Sequence, residues 1–294
     1  MPAASDAVSR PRRRARRRAR RVARSRLAAG LIALVAIVAV AAWSLERSWA
    51  SQNGWKLVFQ DDFTGHALDE KVWRTCFWWA TTTCSIEPNR ELELYNPRDV
   101  SVGGGVLRLR ARKNSMVGWN GKTYAYTSGM VMTGGRAADG PPGFAFEYGK
   151  AVARVKVPNG AGLLPAFWLL PASGAPRPEV DAMEILGSST NVDRMHVHYV
   201  GAGGRPAATG ANWTGPDFSA GWHTFAVDWE PKAIVFSVDG VARWRVTNSA
   251  AIPKQKMYVL LTLAVGGDFP GAPSASTPFP SYLQVDYVRV WQHP

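Results

Sequence analysis

Cysteine and histidine are scarce in this chain: its 294 residues hold two of the first and five of the second. A zinc module built from four such side chains is excluded, since neither Cys76 nor Cys84 has another cysteine or a histidine close by in the sequence. The pair reads instead as a disulfide closing a loop that contains Phe77, Trp78 and Trp79, with two buried free thiols as the alternative. Charge is thin as well, 19% of residues against 46% hydrophobic, which excludes an extended disordered protein and supplies apolar material for a sizeable core. No amphipathic helix of three turns, internal repeat or proline-rich linker interrupts the sequence. Those absences argue against an α/β fold and against a propeller.

Acidic residues are outnumbered, 22 against 35 Lys and Arg, but the surplus is local. Residues 1–50 hold 12 arginines and two acids, so the pI of about 10.1 describes a tail rather than the whole chain. Residues 1–26 read as a basic cytoplasmic tail. The 19 uncharged residues 27–45, rich in Ala, Val, Leu and Ile, are a transmembrane anchor or signal segment, long enough to enter a hydrocarbon core of about 30 Å. Arginines ahead of such a stretch hold the N-terminus inside and send the remainder outward. Ser48-Trp49-Ala50 offers small residues where a signal peptidase would read, so secretion after cleavage competes with the favoured uncleaved anchor. The adjoining apolar stretch argues against nucleic acid as the partner of the arginine run. Residues 46–54 then serve as a linker to an extracytoplasmic domain over 55–294, expected to be monomeric.

Within that domain, short segments of alternating apolar residues recur between Gly, Pro, Asn and Asp. Strands are predicted over Lys56–Phe59, Val106–Ala111, Ala151–Val157, Arg194–Val200, Thr224–Trp229, Ala233–Val238, Met257–Ala264 and Leu283–Trp291. Asp239-Gly240 suits a primed hairpin turn. The predicted fold class is all-β, one antiparallel β-sandwich. Thirteen tryptophans offer flat apolar faces of the kind sugar rings stack on. Trp78, Trp79, Trp119, Trp168, Trp213 and Trp222 fall near loops or acids and are candidates for an open cleft, with Asn89, Arg90 and His198 as polar neighbours. Trp229, Trp244 and Trp291 lie on strands and are expected to pack.

The stretch Glu179-Val180-Asp181-Ala182-Met183-Glu184 is the most telling. In a regular strand Glu179 and Asp181 share a face and Glu184 points away. A β-bulge at Ala182 or Met183 counts two residues as one and returns Glu184 to that face. A helix cannot do this, because at about 100° per residue positions five apart diverge by roughly 140°. Two carboxylates gathered so suit a retaining glycosidase, in which groups about 5 to 5.5 Å apart act as nucleophile and acid/base. Asp181, between them, would hydrogen-bond the nucleophile and apportion the protons. A solvated acidic strand edge is the competing reading. His196 and His198 alternate on a predicted strand and share a face; a metal pair would need a third ligand that the sequence does not fix, so one histidine is expected to meet substrate or to tune Glu184.

With these residues in hand, residues 55 to 292 resemble glycoside hydrolase family 16, the laminarinase and lichenase group. The hexapeptide is similar to that family's bulged Glu-x-Asp-x-x-Glu signature. Val58-Phe59-Gln60-Asp61-Asp62-Phe63, Asn89-Arg90-Glu91-Leu92-Glu93, Tyr148-Gly149-Lys150, Pro165-Ala166-Phe167-Trp168-Leu169-Leu170, Ala264-Val265-Gly266-Gly267 and Val285-Asp286-Tyr287-Val288-Arg289-Val290 follow in the family's order. The resemblance implies a β-jelly-roll with a concave groove and an endo-acting retaining hydrolase of β-glucan, β-1,3-linked or mixed β-1,3/1,4. It implies Glu179 as nucleophile, Asp181 as its helper, Glu184 as acid/base, and Asn89, Trp168 and His198 as substrate contacts. No cofactor is required for catalysis, though the family suggests a structural calcium to which Asp62 and Asp286 would contribute. A transglycosylase and a non-catalytic, membrane-tethered carbohydrate-binding protein are the alternatives.

Overall fold

The computed structural model describes residues 54–80, 84–135 and 143–294. The basic tail, the apolar segment 27–45 and most of the linker lie outside them. Among the described residues no helix is long and apolar enough to cross a membrane.

Two antiparallel-dominated sheets make up the domain over residues 57–293. The strands in chain order are β1 (Lys56–Asp61), β2 (Glu93–Tyr95), β3 (Val100–Val102), β4 (Leu107–Val117), β5 (Thr123–Ser128), β6 (Met130–Met132), β7 (Gly149–Lys156) and β8 (Leu163–Pro171). They continue with β9 (Glu179–Glu184), β10 (Val192–Val200), β11 (Pro206–Thr214), β12 (His223–Glu230), β13 (Ala233–Val238), β14 (Val241–Val246), β15 (Met257–Val265) and β16 (Ser281–Gln292). A ten-stranded sheet runs β14-β13-β12-β7-β16-β4-β5-β2, with β1 on β16 and β3 on β4; a six-stranded sheet runs β11-β10-β9-β8-β15-β6. All eight predicted strands are present, and Asp239 and Gly240 both take positive φ, 51° and 76°, at the β13–β14 turn.

Alternation explains the ten-stranded sheet. Along β4, Leu107, Leu109 and Ala111 point inward while Arg108, Arg110 and Arg112 point outward. The six-stranded sheet obeys a different rule, because β8 and β15 are apolar at nearly every position. Phe167, Leu169, Val259, Leu261 and Leu263 fill the main core between the sheets, with Val155, Phe225, Trp229 and Val288 from the other layer. On the opposite face Trp168, Leu170, Tyr258 and Leu260 form a second cluster with Phe77, Tyr95, Met130 and Met132. Phe77 comes from the loop that the Cys76–Cys84 disulfide closes, so the staple expected from sequence anchors a cover over part of that face. At about 25 cal/mol per Å² of apolar surface, burial on both faces stabilises these central strands more than one-faced burial would.

Candidate active site

β9 leaves the covered part of that second face and carries the acids. It pairs with β8 through Leu169–Val180 and Trp168–Asp181, then through Phe167–Met183 and Ala166–Glu184, so Ala182 is the extra residue of a bulge. Val180, Ala182 and Met183 all enter the main core. Two consecutive inward side chains reset the alternation. Glu179, Asp181 and Glu184 therefore emerge together on the face away from the core. Beside them on β10, His198 stands opposite Glu179 and His196 opposite Asp181.

Asp181 is central and almost fully buried. Donor atoms of Glu179, Asp181 and His198 all lie within 4.8 Å of one another, as do those of Asp181, Glu184 and His196. His196 Nδ1 is 2.8 Å from Glu184 Oε2, and His198 Nε2 is 3.5 Å from Asp181 Oδ2. The fold thus gives each histidine an acidic neighbour that the strand pattern did not specify. Below the bulge, the buried Asp193 carboxylate accepts the Glu184 backbone N–H at 3.3 Å.

Burial, reinforced by the Glu184 charge, pushes Glu179 up to about 7. Burial, then the charges of Glu179 and Glu184, hold Asp181 well above the usual carboxylate range. The hydrogen bond between Asp181 and Glu179 raises the first and lowers the second, so Asp181 is the donor and Glu179 the acceptor. Burial and the neighbouring His196 push His198 down, which favours its neutral form. Burial also raises Asp193 well above its ordinary value.

The other predicted contacts fall unevenly. Trp168 shares the acids' face next to Asp181 but is only 7% exposed, with Phe77 packed edge-on at 6.3 Å; it presents an edge, not a stacking platform. Its Nε1 is buried without a protein partner. Asn89 ends a short 3-10 turn, where its amide donates to Glu91 Oε1 at 3.2 Å and its carbonyl accepts the Asp268 N–H at 2.9 Å. That loop carries Phe269, whose ring lies 6.3 Å from His196, so Asn89 is linked to the acids through Gly267–Phe269. Trp213 and Trp222 are not cleft residues: Arg243 caps the first at 3.9 Å and Arg154 the second at 5.5 Å, the former packed against the main core. Trp119, 85% exposed, sits at the β4–β5 turn. Trp229 and Trp291 pack as expected, and Trp244 lies against Phe236. Asp62 and Asp286, expected at a calcium site, each face an arginine instead. Asp62 accepts from Arg289 at 2.8 Å, and Asp286 is ion-paired with Arg154; a cation on either would meet a guanidinium already in place, so these residues do not fit the site the resemblance implied.

Sequence reading overlooked Tyr258 and Phe269. Tyr258 accepts from Trp79 Nε1 at 3.3 Å on the acids' side of β15, and nothing in an all-apolar strand marked it as more than core. Phe269 follows the Gly266-Gly267 pair already singled out, which was its only signal.

The family model for glycosyl hydrolases family 16 matches residues 94–289. Endo-1,3-1,4-beta-glycanase ExsH of Rhizobium meliloti (strain 1021) is 33% identical over 264 residues, covering 84% of this chain and 53% of that protein. The chain belongs to glycosyl hydrolases family 16. Among family 16 relatives, glucan endo-1,3-beta-glucosidase A1 of Niallia circulans is 31% identical over 81% of this chain and 38% of its own length. The chain spans about half or less of the length of these two curated relatives. The catalytic domain of an endo-1,3-beta-glucanase (laminarinase) from Thermotoga petrophila RKU-1 superposes with a TM-score of 0.70 at 29% identity, over 81% of this chain and 98% of that one. The two-sheet sandwich is thus the family 16 jelly roll.

Proposed function

We propose that this protein is an endo-acting, retaining hydrolase of β-1,3- or mixed β-1,3/1,4-glucan. The observation that carries the reading is the Ala182 bulge, which puts Glu179 and Glu184 on one face with Asp181 between them. A Glu179 oxygen attacks the anomeric carbon while the bond to the departing sugar breaks, and that sugar's oxygen takes the Glu184 proton. Water then attacks the glycosyl-enzyme and gives its proton to Glu184, which regenerates both groups. Asp181 donates to Glu179 in the resting enzyme and holds the carboxylate released at the end. Trp79 and Phe269, 39% and 45% exposed, line the flanks with apolar surface suited to sugar rings, and buried Tyr258 holds the Trp79 ring through its hydroxyl. The relatives acting on 1,3- and 1,3-1,4-linked glucans support the substrate class.

The N-terminal sequence supports an extracytoplasmic enzyme tethered by residues 27–45, with polysaccharide as its partner. The deciding assay incubates the full chain with laminarin, mixed-linkage glucan, agarose and carrageenan. Rapid viscosity loss with new reducing ends from a glucan, the first-formed anomer being β, is expected; release of none from either glucan overturns the reading.

A further inference from the structure

Glu184 has two oxygens, and acid/base chemistry at a glycosidic bond uses one at a time. Oε2 is already engaged, 2.8 Å from His196 Nδ1. The contact is built rather than incidental, because it depends on a glycine in the next strand. His196 stands opposite Gly210 on β11, and a Cβ added there would lie 2.3 Å from His196 Cδ2 and 2.9 Å from both its Nε2 and the Met195 carbonyl oxygen. The absent side chain gives the imidazole room to lie over β11 and turn Nδ1 toward Glu184. Gly210 needs no unusual backbone conformation; space is the one thing it supplies. Phe269 closes the other side, its ring edge-on at 6.3 Å.

We propose that His196, seated by Gly210, is the positioning residue of the acid/base: it binds Glu184 Oε2 throughout the cycle and leaves Oε1 to meet the glycosidic oxygen and then water. This rests on the acid/base role given to Glu184 above. An imidazole suits the task because it can serve both states. With its proton on Nε2, Nδ1 accepts from the protonated carboxyl; with the proton on Nδ1, it donates to the carboxylate. The charged and titratable groups around it are Glu179, Asp181 and Glu184 from β9 and Arg194 and His198 on β10 itself. Arg177 precedes β9, and Asp268, beside Phe269, is engaged by Arg90. From β11 the same face presents Ala208, Gly210 and Asn212, which are uncharged.

The test compares His196→Leu, His196→Asn and Gly210→Ala with the parent full chain, each first checked for an unchanged thermal midpoint. The Nδ1–H bond to the Glu184 anion is charge-assisted and stronger than the bond accepted from its neutral acid, so losing the imidazole costs the anion more. The alkaline limb of kcat/KM on laminarin should then move up by roughly half a pH unit in His196→Leu, with kcat down about tenfold and KM little changed. Asparagine keeps a donor near the Nδ1 position and should restore most of that shift, while Gly210→Ala, which displaces the ring, should resemble leucine. An unmoved alkaline limb in both His196→Leu and Gly210→Ala, or a loss confined to KM, overturns the proposal. Glu184→Gln, assayed alongside, separates the two readings. Full activity in that variant removes the acid/base assignment itself, whereas an inactive Glu184→Gln beside an unmoved His196→Leu profile removes only the role of His196.

Discussion

On the ten-stranded sheet and the turns beside it Asp62, Asp99 and Asp286 each face an arginine, whereas on the six-stranded sheet Glu179, Asp181 and Glu184 face one another. Chemically similar carboxylates are thus put to opposite uses. Opposite charge answers each outer acid and locks a loop or strand end, as when Asp99 receives both Arg110 and Arg112. The inner acids are answered by burial and by like charge, which disfavour ionisation and keep protons in the group. A retaining reaction needs two protons on three such carboxyls, with the nucleophile bare. The triad gains a proton as pH falls through about 7, where Glu179 titrates, and where that proton resides is a property of the coupled group rather than of one residue.

The contrast breaks most completely if an inner acid is removed. Glu179→Ala and Glu184→Ala should each lower kcat on laminarin by about 10³-fold or more while sparing polysaccharide affinity, because both groups act on the barrier rather than on the resting complex. Glu184→Ala should recover on an aryl glucoside whose leaving group needs no proton, and Glu179→Ala should not. Reducing-end assays beside affinity electrophoresis measure both halves.

The sequence exposed the inner site because the bulge leaves a trace: acids at the first, third and sixth positions of a strand cannot share a face without it. The disulfide, the all-β class and the strands with clean alternation were legible for similar local reasons. What stayed hidden depended on contacts across the fold. Trp168 has a cleft-like address beside the acids, yet Phe77, some ninety positions earlier, covers it. Asp62 and Asp286 look like cation ligands until the strand pairing delivers Arg289 and Arg154 to them. Gly210 looks like an ordinary strand glycine until β11 pairs with β10 and places it against His196.

A milder variant sharpens the comparison. Asp181→Asn keeps a donor toward Glu179 but cannot hold a movable proton, so kcat should fall by about 10²-fold. Its stability should move the other way. Asp181 has a folded-state pKa above its unfolded one, so the preference for its neutral form is fully present below the ordinary carboxylate range. That contribution is lost as pH rises through the folded value. Asparagine has no proton to lose there, so the variant should gain on the parent as pH rises from about 5 to about 8. Urea melts at the two pH values measure this, and an equal gap at both would show that burial does not govern Asp181.

The smallest effect tests the outer sheet. Asp99 is almost fully buried and accepts from Arg112 Nε at 2.6 Å and Arg110 Nε at 2.9 Å, two side chains that keep part of their surface in water. Asp99→Asn keeps the shape and one acceptor but leaves two guanidinium groups without their counter-charge. Both can turn partly toward solvent, so the loss should be about 2 kcal/mol, below that of a fully buried pair. Its kcat and pH profile should match the parent, because neither arginine approaches β9 or β10 through the strand pairing. The midpoint shift should also shrink in high salt, since part of what is lost is screened charge. A changed alkaline limb in Asp99→Asn would mean that the two sheets share their electrostatics rather than dividing them.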